Sequence, residues 1–140
     1  MKISTYNNDD KDEIIQLWGE CDLLRAWNDP EQDIKRKLDD SPELFLVGIH
    51  EGKICASVMG GYDGHRGWIN YLAVAPSLQN SGLGKQIMSE VESRLVNKGC
   101  PKINVQIRSE NMYAIEFYKK IGYSSDDVVC VGKRLTHNRL

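Results

Sequence analysis

The chain has 140 residues, 41% of them hydrophobic and 27% charged, and 18 basic against 20 acidic side chains leave a formal charge of -2. That length is one domain, 1–140, able to bury about two-thirds of the surface its unfolded form would expose, and the composition excludes disordered and fibrous classes. Neither sign of charge collects into a block, so no nucleic-acid stripe or polybasic membrane anchor is expected, and any bound anion is held locally.

The first residues, Met1 to Tyr6, turn polar at Asn7-Asn8-Asp9-Asp10, without the apolar core of a signal peptide, and no run reaches transmembrane length. A cytoplasmic protein with no membrane partner is the expectation. Residues 2 to 6 read as a strand. Asp10 followed by Glu13 resembles a capping box, opening a helix with Ile14, Leu17, Trp18 and Cys21 on one face. Asp29 before Pro30 starts a second helix, with Ile34 and Leu38 one turn apart, which stops before Pro42. Glu43 to Ile49 and Ile54 to Met59 read as a hairpin around Glu51-Gly52-Lys53, and the turn Gly60 to Gly67 leads to a third strand, Trp68 to Val74. The loop Ala75 to Gly84 opens a long amphipathic helix, with Ile87, Met88, Val91 and Leu95 on one face and Gly99 as its stop. Ile103 to Arg108 is a strand, Asn111 to Ile121 a helix ended by Gly122, and Val128 to Leu135 a final strand. The order β-α-α-β-β-β-α-β-α-β mixes a meander with crossovers, so the fold class is α/β (α+β mixed), a mixed central sheet covered by helices. Cys21, Cys55, Cys100 and Cys130 lack metal-binding or redox spacing; reduced, mostly buried thiols and no metal are expected.

The loop Gln79 to Gly84 joins a strand to a helix, where unpaired N–H groups and the helix dipole suit a phosphate. Gly82 and Gly84 lack Cβ atoms, and Lys85 adds a cation. Taken alone, two glycines are slightly better explained by a tight turn, and that alternative stays open. A P-loop would need glycine where Gln79 stands and Ser or Thr where Gln86 stands; a dinucleotide fingerprint would need glycine at Ile87. Both fail.

What remains, Gln79-Asn80-Ser81-Gly82-Leu83-Gly84 after Trp68 to Val74, resembles the Q/R-x-x-G-x-G/A acyl-CoA motif of the GNAT acetyltransferase superfamily. Asn111, Ala114, Phe117, Tyr118, Lys119 and Gly122-Tyr123 resemble its N-x-x-A-x-x-x-Y-x-x-x-G-F/Y segment. The specific similarity spans 67 to 123 and looks closest to the bacterial RimI-like and YpeA-like branches. The resemblance implies a GNAT-like fold and acetyl-CoA as acyl donor. It places the pyrophosphate on Gln79, Asn80, Ser81, Gly82, Leu83, Gly84 and Lys85, and pantetheine along Leu72, Ala73 and Val74. It also implies a Leu72 amide facing the thioester oxygen, Asn111 on pantetheine, and Tyr118 as general acid for the thiolate. Outside the resemblance, Leu-Ala-Val is ordinary strand packing, Tyr118 reads as a core aromatic, and Asn111 reads as an N-cap.

Relatives often carry a glutamate as base where this chain has Trp68, Asn70 or Gln106. Glu110, Asp63, His65, Glu20 and Asp22 are the nearby candidates, none of which the sequence singles out, and a water chain would serve as well. The acceptor cleft is expected around Leu24 to Pro30 and Gly60 to Gly67, with Trp27 as a wall or a packing staple and Glu20, Asp22 and Asp29 suited to a cation. The expected activity is direct acetyl transfer to a primary amine, either a protein N-terminus or a small molecule, with a homodimer left open. A non-catalytic acyl-CoA sensor and a plain interaction domain are the rival readings.

Overall fold

The structure, a computed structural model, describes residues 1–136. In chain order it contains β1 (Lys2–Thr5), α1 (Lys11–Glu20), α2 (Pro30–Asp40), β2 (Phe45–His50), β3 (Lys53–Tyr62), β4 (Gly67–Val74), α3 (Leu83–Asn97), β5 (Ile103–Val105) and α4 (Met112–Lys120). The strands form one sheet in the order β1-β2-β3-β4-β5. Every neighbouring pair is antiparallel except β4 and β5, which are parallel because α3 crosses between them. The expected mixed sheet is present.

Strand side chains alternate between faces, so a sheet buried on both sides must supply two cores. Leu46 and Val58 point with Ile69 into a cluster completed by Ile87, Met88, Val91 and Leu95 of α3. Phe45, Val47, Met59 and Ala73 join the other cluster, with Ile14, Leu17 and Trp18 of α1 and Ile34 of α2. Each fully buried aliphatic or aromatic side chain contributes about 1.5–3 kcal/mol relative to exposure, which makes α1 and α3 the main clamps on the sheet.

Local signals explain the helix ends. Asp29 accepts from the amides of Glu31 at 3.0 Å and Gln32 at 3.3 Å, with Pro30 at the first helical position. Gly99 and Gly122 adopt φ of +89° and +102°, the left-handed stop that glycine tolerates best. At the N-terminus the capping box belongs to Asn7 and Asp10, not to Asp10 and Glu13. Asn7 accepts from the Asp9 amide at 2.8 Å, Asp10 from the Asn7 amide at 3.0 Å, and the resulting single turn runs into α1.

Two strand expectations need correction. Pairing along 103–108 ends at Val105, because β4 and β5 diverge there. The final strand expected at Val128–Leu135 is absent: Val128, Val129, Val131 and Leu135 are 74–89% exposed in irregular chain. Its apolar alternation has no face to bury, and β5 offers only three residues to pair with. Side chains instead tie 126–130 to the residues that flank β5, through Lys102 to Asp126 at 2.9 Å and Gln106 to Cys130. The cysteines are free as expected, but only Cys55 is buried; Cys21 and Cys100 are partly exposed and Cys130 is exposed.

Candidate active site

β4 is paired on both sides only over its first three residues, where Gly67–Ile69 face Ile103–Val105. Further along, its register with β3 passes from Met59↔Asn70 to Ser57↔Ala73, leaving Tyr71 and Leu72 together opposite Val58. This extra residue is a β-bulge, which locally disrupts the ladder and re-aims the chain. Leu72 therefore has a partner in neither neighbouring strand. Tyr71 carries the distortion, with φ of +52°, a conformation that costs a non-glycine residue roughly 1–3 kcal/mol. Where β4 and β5 part, a cleft of about 1640 Å³ opens, lined by the second half of β4, the 105–108 segment, the start of α3, one face of α4 and parts of α1–α2.

At the α3 end of the cleft, Gly82 is the N-cap with φ of +87°, and no side chain caps the helix. The first helical bond runs from the Gln86 amide to the Gly82 carbonyl at 3.1 Å, so the amides of Leu83, Gly84 and Lys85 precede the ladder. The first turn holds no acidic residue. A Cβ on Gly82 would meet nothing within 4 Å, whereas one on Gly84 would lie 3.0 Å from the Phe117 ring. The two glycines thus do different work: Gly82 supplies the left-handed turn beside open space, and Gly84 lets α3 approach α4. Gln79 donates to the Val74 carbonyl at 3.0 Å, tying the loop to the end of β4. Such an uncapped, positively polarised helix start suits a diphosphate.

Tyr118 of α4 lines the cleft but is only 6% exposed. Its ring meets Phe117 and Tyr123 edge-on at 5.2 and 5.3 Å. Burial raises its pKa well above the ordinary tyrosine value, so the phenol keeps its proton at neutral pH. Among the described residues its hydroxyl has no protein partner. Asn111 is the N-cap of α4 and accepts from the Ala114 amide at 3.1 Å, while also lining the cleft.

Leu72, Ala73, Val74, Gln79, Asn80, Gly82, Gly84, Lys85, Asn111 and Tyr118 therefore meet on one cleft. Ser81 and Leu83 are not in its lining; Ser81 bonds back to the Leu78 carbonyl and Leu83 packs on the core. Of the acids considered as base, Asp22 and Glu110 line the cleft, and Glu20 and Asp63 do not. Asp63 caps its own turn, accepting from the amides of His65 and Arg66 at 2.8 Å. Its pKa is lowered by those two amides, chiefly that of Arg66. Asn70 and Gln106 are in the lining, and Trp68 is not. Trp27 is 47% exposed and lies outside the lining, but the guanidinium of Arg108, which is in it, sits 5.0 Å above the Trp27 ring.

Sequence reading missed Asp33 and Tyr71. The Tyr71 hydroxyl donates to Asp33 at 2.5 Å, and both line the cleft. Asp33 precedes the inward-facing Ile34 in a strongly charged helix, so nothing marks it out, and a bulge leaves no sign in residue types. Also unanticipated was Lys37, a half-buried lysine donating to the carbonyl of Gly60 and the hydroxyl of Ser41. Burial lowers its pKa.

A mixed sheet that opens between two parallel strands, with a bulge on one and an uncapped helix start beyond it, defines an acyl-CoA acetyltransferase type of architecture. The acetyltransferase (GNAT) family profile matches residues 11–123, and the chain belongs to that family. A Yersinia pestis (strain Pestoides F) acetyltransferase is 49% identical over 135 residues, 96% of each chain. A Pectobacterium atrosepticum acetyltransferase is 47% identical over 139 residues, 99% of each. Among solved structures, the aminoglycoside 6'-N-acetyltransferase AAC(6')-IG from Acinetobacter haemolyticus superposes with a TM-score of 0.76 at 14% identity, covering 97% of this chain and 100% of that one. A ribosomal-protein alanine N-acetyltransferase from Escherichia coli gives 0.70 at 20% identity, covering 86% and 76%. AAC(6')-Iy in complex with CoA gives 0.73 at 17%, covering 95% and 99%.

Proposed function

We propose that this protein transfers an acetyl group from acetyl-CoA directly to a primary amine. One observation carries the reading: the uncapped start of α3, at Gly82, Gly84 and Lys85, and the unpaired Leu72 on the β4 bulge open on the same cleft. Acetyl-CoA supplies an activated acyl carbon and a thiolate leaving group. The amides of Leu83, Gly84 and Lys85 hold its diphosphate, with the Lys85 ammonium beside them, and the loop from Gln79 to Ser81 shapes the approach. Leu72, Ala73 and Val74 pair with the pantetheine arm where β5 has withdrawn, and Asn111 adds its remaining amide hydrogens from the far wall. The Leu72 N–H stabilises the negative charge that develops on the thioester oxygen, a role worth about 2.7–4 kcal/mol where a comparable donor has been removed. Tyr118, kept protonated by burial, donates toward the departing sulfur.

No carboxylate stands on β4 beside the bulge, so deprotonation of the acceptor falls to a water chain or to an acid elsewhere in the lining, Asp22 or Glu110. At pH 7 roughly one lysine-like amine in 2,500 is neutral, against roughly one α-amino group in ten. An acceptor with a pKa near 8 suits this site, and both a protein N-terminus and a deactivated small-molecule amine qualify. The solved neighbours named for aminoglycosides and for a ribosomal-protein alanine illustrate the two kinds. We place the chain in the RimI-like bacterial branch, as a single cytoplasmic domain that acts without a metal.

Two measurements test the reading. CoA at 100 times its Kd should raise stability by about 2.7 kcal/mol, and an amine screen that follows thiol release from acetyl-CoA should find turnover. Binding without turnover on any amine would leave a CoA sensor; no binding would remove the site altogether.

A further inference from the structure

Ser57 is a polar residue with no solvent exposure, set among apolar core side chains. It accepts from the Trp18 indole N–H at 2.9 Å and donates to the Tyr71 carbonyl at 2.8 Å. The Tyr71 ring lies on the Trp18 ring with centroids 3.9 Å apart, and the Tyr71 hydroxyl reaches Asp33 of α2 at 2.5 Å. Carbonyl, ring and hydroxyl of one residue are thus each fastened to a different element: β3, α1 and α2. That residue is the one at φ +52°, immediately before Leu72. A strained backbone persists only where its surroundings over-determine it, and strain of this kind gathers at functional sites.

We propose that Ser57, Trp18, Tyr71 and Asp33 form a positioning device that fixes the Leu72 amide toward the thioester oxygen. Its outer link, Tyr71 to Asp33, couples that amide to the α2 wall of the cleft. The inference rests on the reading of Leu72 given above. Ser57, itself held by the Trp18 indole, sets the depth of the bulge by occupying the Tyr71 carbonyl, which would otherwise be free to pull the chain back into the ladder. Asp33 sets its rotation: its side chain is 24% exposed and carries a second, longer contact to Arg36 at 3.4 Å. An acceptor bound against α2 therefore touches the same helix that holds the bulge. Asp33 and Tyr71 are positioning residues in this scheme, not groups on the reacting atoms.

The test is the Leu72 amide signal in ¹⁵N-labelled protein. Two probes are compared: CoA, and a ketone analogue of acetyl-CoA in which a methylene separates sulfur from carbonyl. In the wild type the ketone, and not CoA, should move the Leu72 proton downfield. Tyr71→Phe keeps the ring stack and removes the hydroxyl; Asp33→Asn keeps the side-chain shape and weakens the acceptor. Both should still bind the analogue yet lose that downfield shift, with amide signals away from β4 unchanged. A full shift retained in both variants overturns the positioning device while leaving the Leu72 reading intact. A Leu72 signal indifferent to the ketone in the wild type overturns the Leu72 reading, and the device with it.

Discussion

Replacing Gly82 by aspartate separates donor binding from folding. Gly82 sits at φ +87° with open space around its absent Cβ, at the head of a helix that no side chain caps. Aspartate tolerates the left-handed region better than most residues, and its carboxylate gains about 0.5–2 kcal/mol by capping the free amides. Strain and cap thus oppose each other, and stability should change little. For the donor the same carboxylate is doubly adverse, because it takes the amides and sets a negative charge against the diphosphate. Two like charges about 4 Å apart at a partly wet surface repel by about 4 kcal/mol, equivalent to roughly a thousandfold in Kd. Calorimetric titration with CoA, alongside chemical denaturation, reads both quantities. Gly82→Ala is the control: it carries the strain without the charge, so it should lose about 1–2 kcal/mol of stability and much less affinity. An aspartate variant that binds CoA within about threefold of wild type, a difference of only about 0.6 kcal/mol, would refute the placement of the diphosphate.

Tyr118→Phe should lower kcat by about 10²–10⁴-fold with unchanged CoA affinity, the range for a lost general acid. Because that hydroxyl has no protein partner among the described residues, the unfolding midpoint should stay put, and steady-state kinetics at wild-type rate would remove Tyr118 from the reaction. Gly84→Ala places a methyl 3.0 Å from the Phe117 ring and should cost about 1–3 kcal/mol by overpacking, measured by denaturation. Lys37 has a folded pKa below its unfolded value, so the unfolded chain binds the extra proton between the two. Its burial therefore opposes folding at low pH, and that penalty fades as pH rises through the lowered pKa toward the ordinary value of about 10.4. Lys37→Met should flatten this component of the pH–stability curve relative to wild type; parallel curves would contradict it.

Elements announced by one residue and its immediate neighbours could be read from the sequence. Asp29-Pro30 starts α2, Gly99 and Gly122 end α3 and α4, and Gln79 to Gly84 marks the turn into α3, each because a cap or a left-handed angle restricts the residue type. The N-terminal cap was misplaced by one turn because Asn7/Asp10 and Asp10/Glu13 share the same spacing, and only the backbone geometry separates them. The strand at Val128–Leu135 failed for a non-local reason: its pattern is regular, but the length of β5 decides whether a partner exists. The bulge at Tyr71 and its ties to Ser57, Trp18 and Asp33 were invisible, since they join positions up to 53 residues apart in residue types common to any core. The glycine loop and the α4 segment were legible through the family pattern, and the side-chain ties that cross elements around Tyr71 were not.

The early parting of β4 from β5 has an evolutionary corollary. The donor grip proposed above, made of peptide groups, would ask of the sequence only that the backbone keep its path, leaving side chains along the opening free to drift. A fold shared with a solved structure at 14% identity accords with that freedom. In that scheme new substrates would be recruited by rewriting α1, α2 and their connection, without renegotiating how the donor is held.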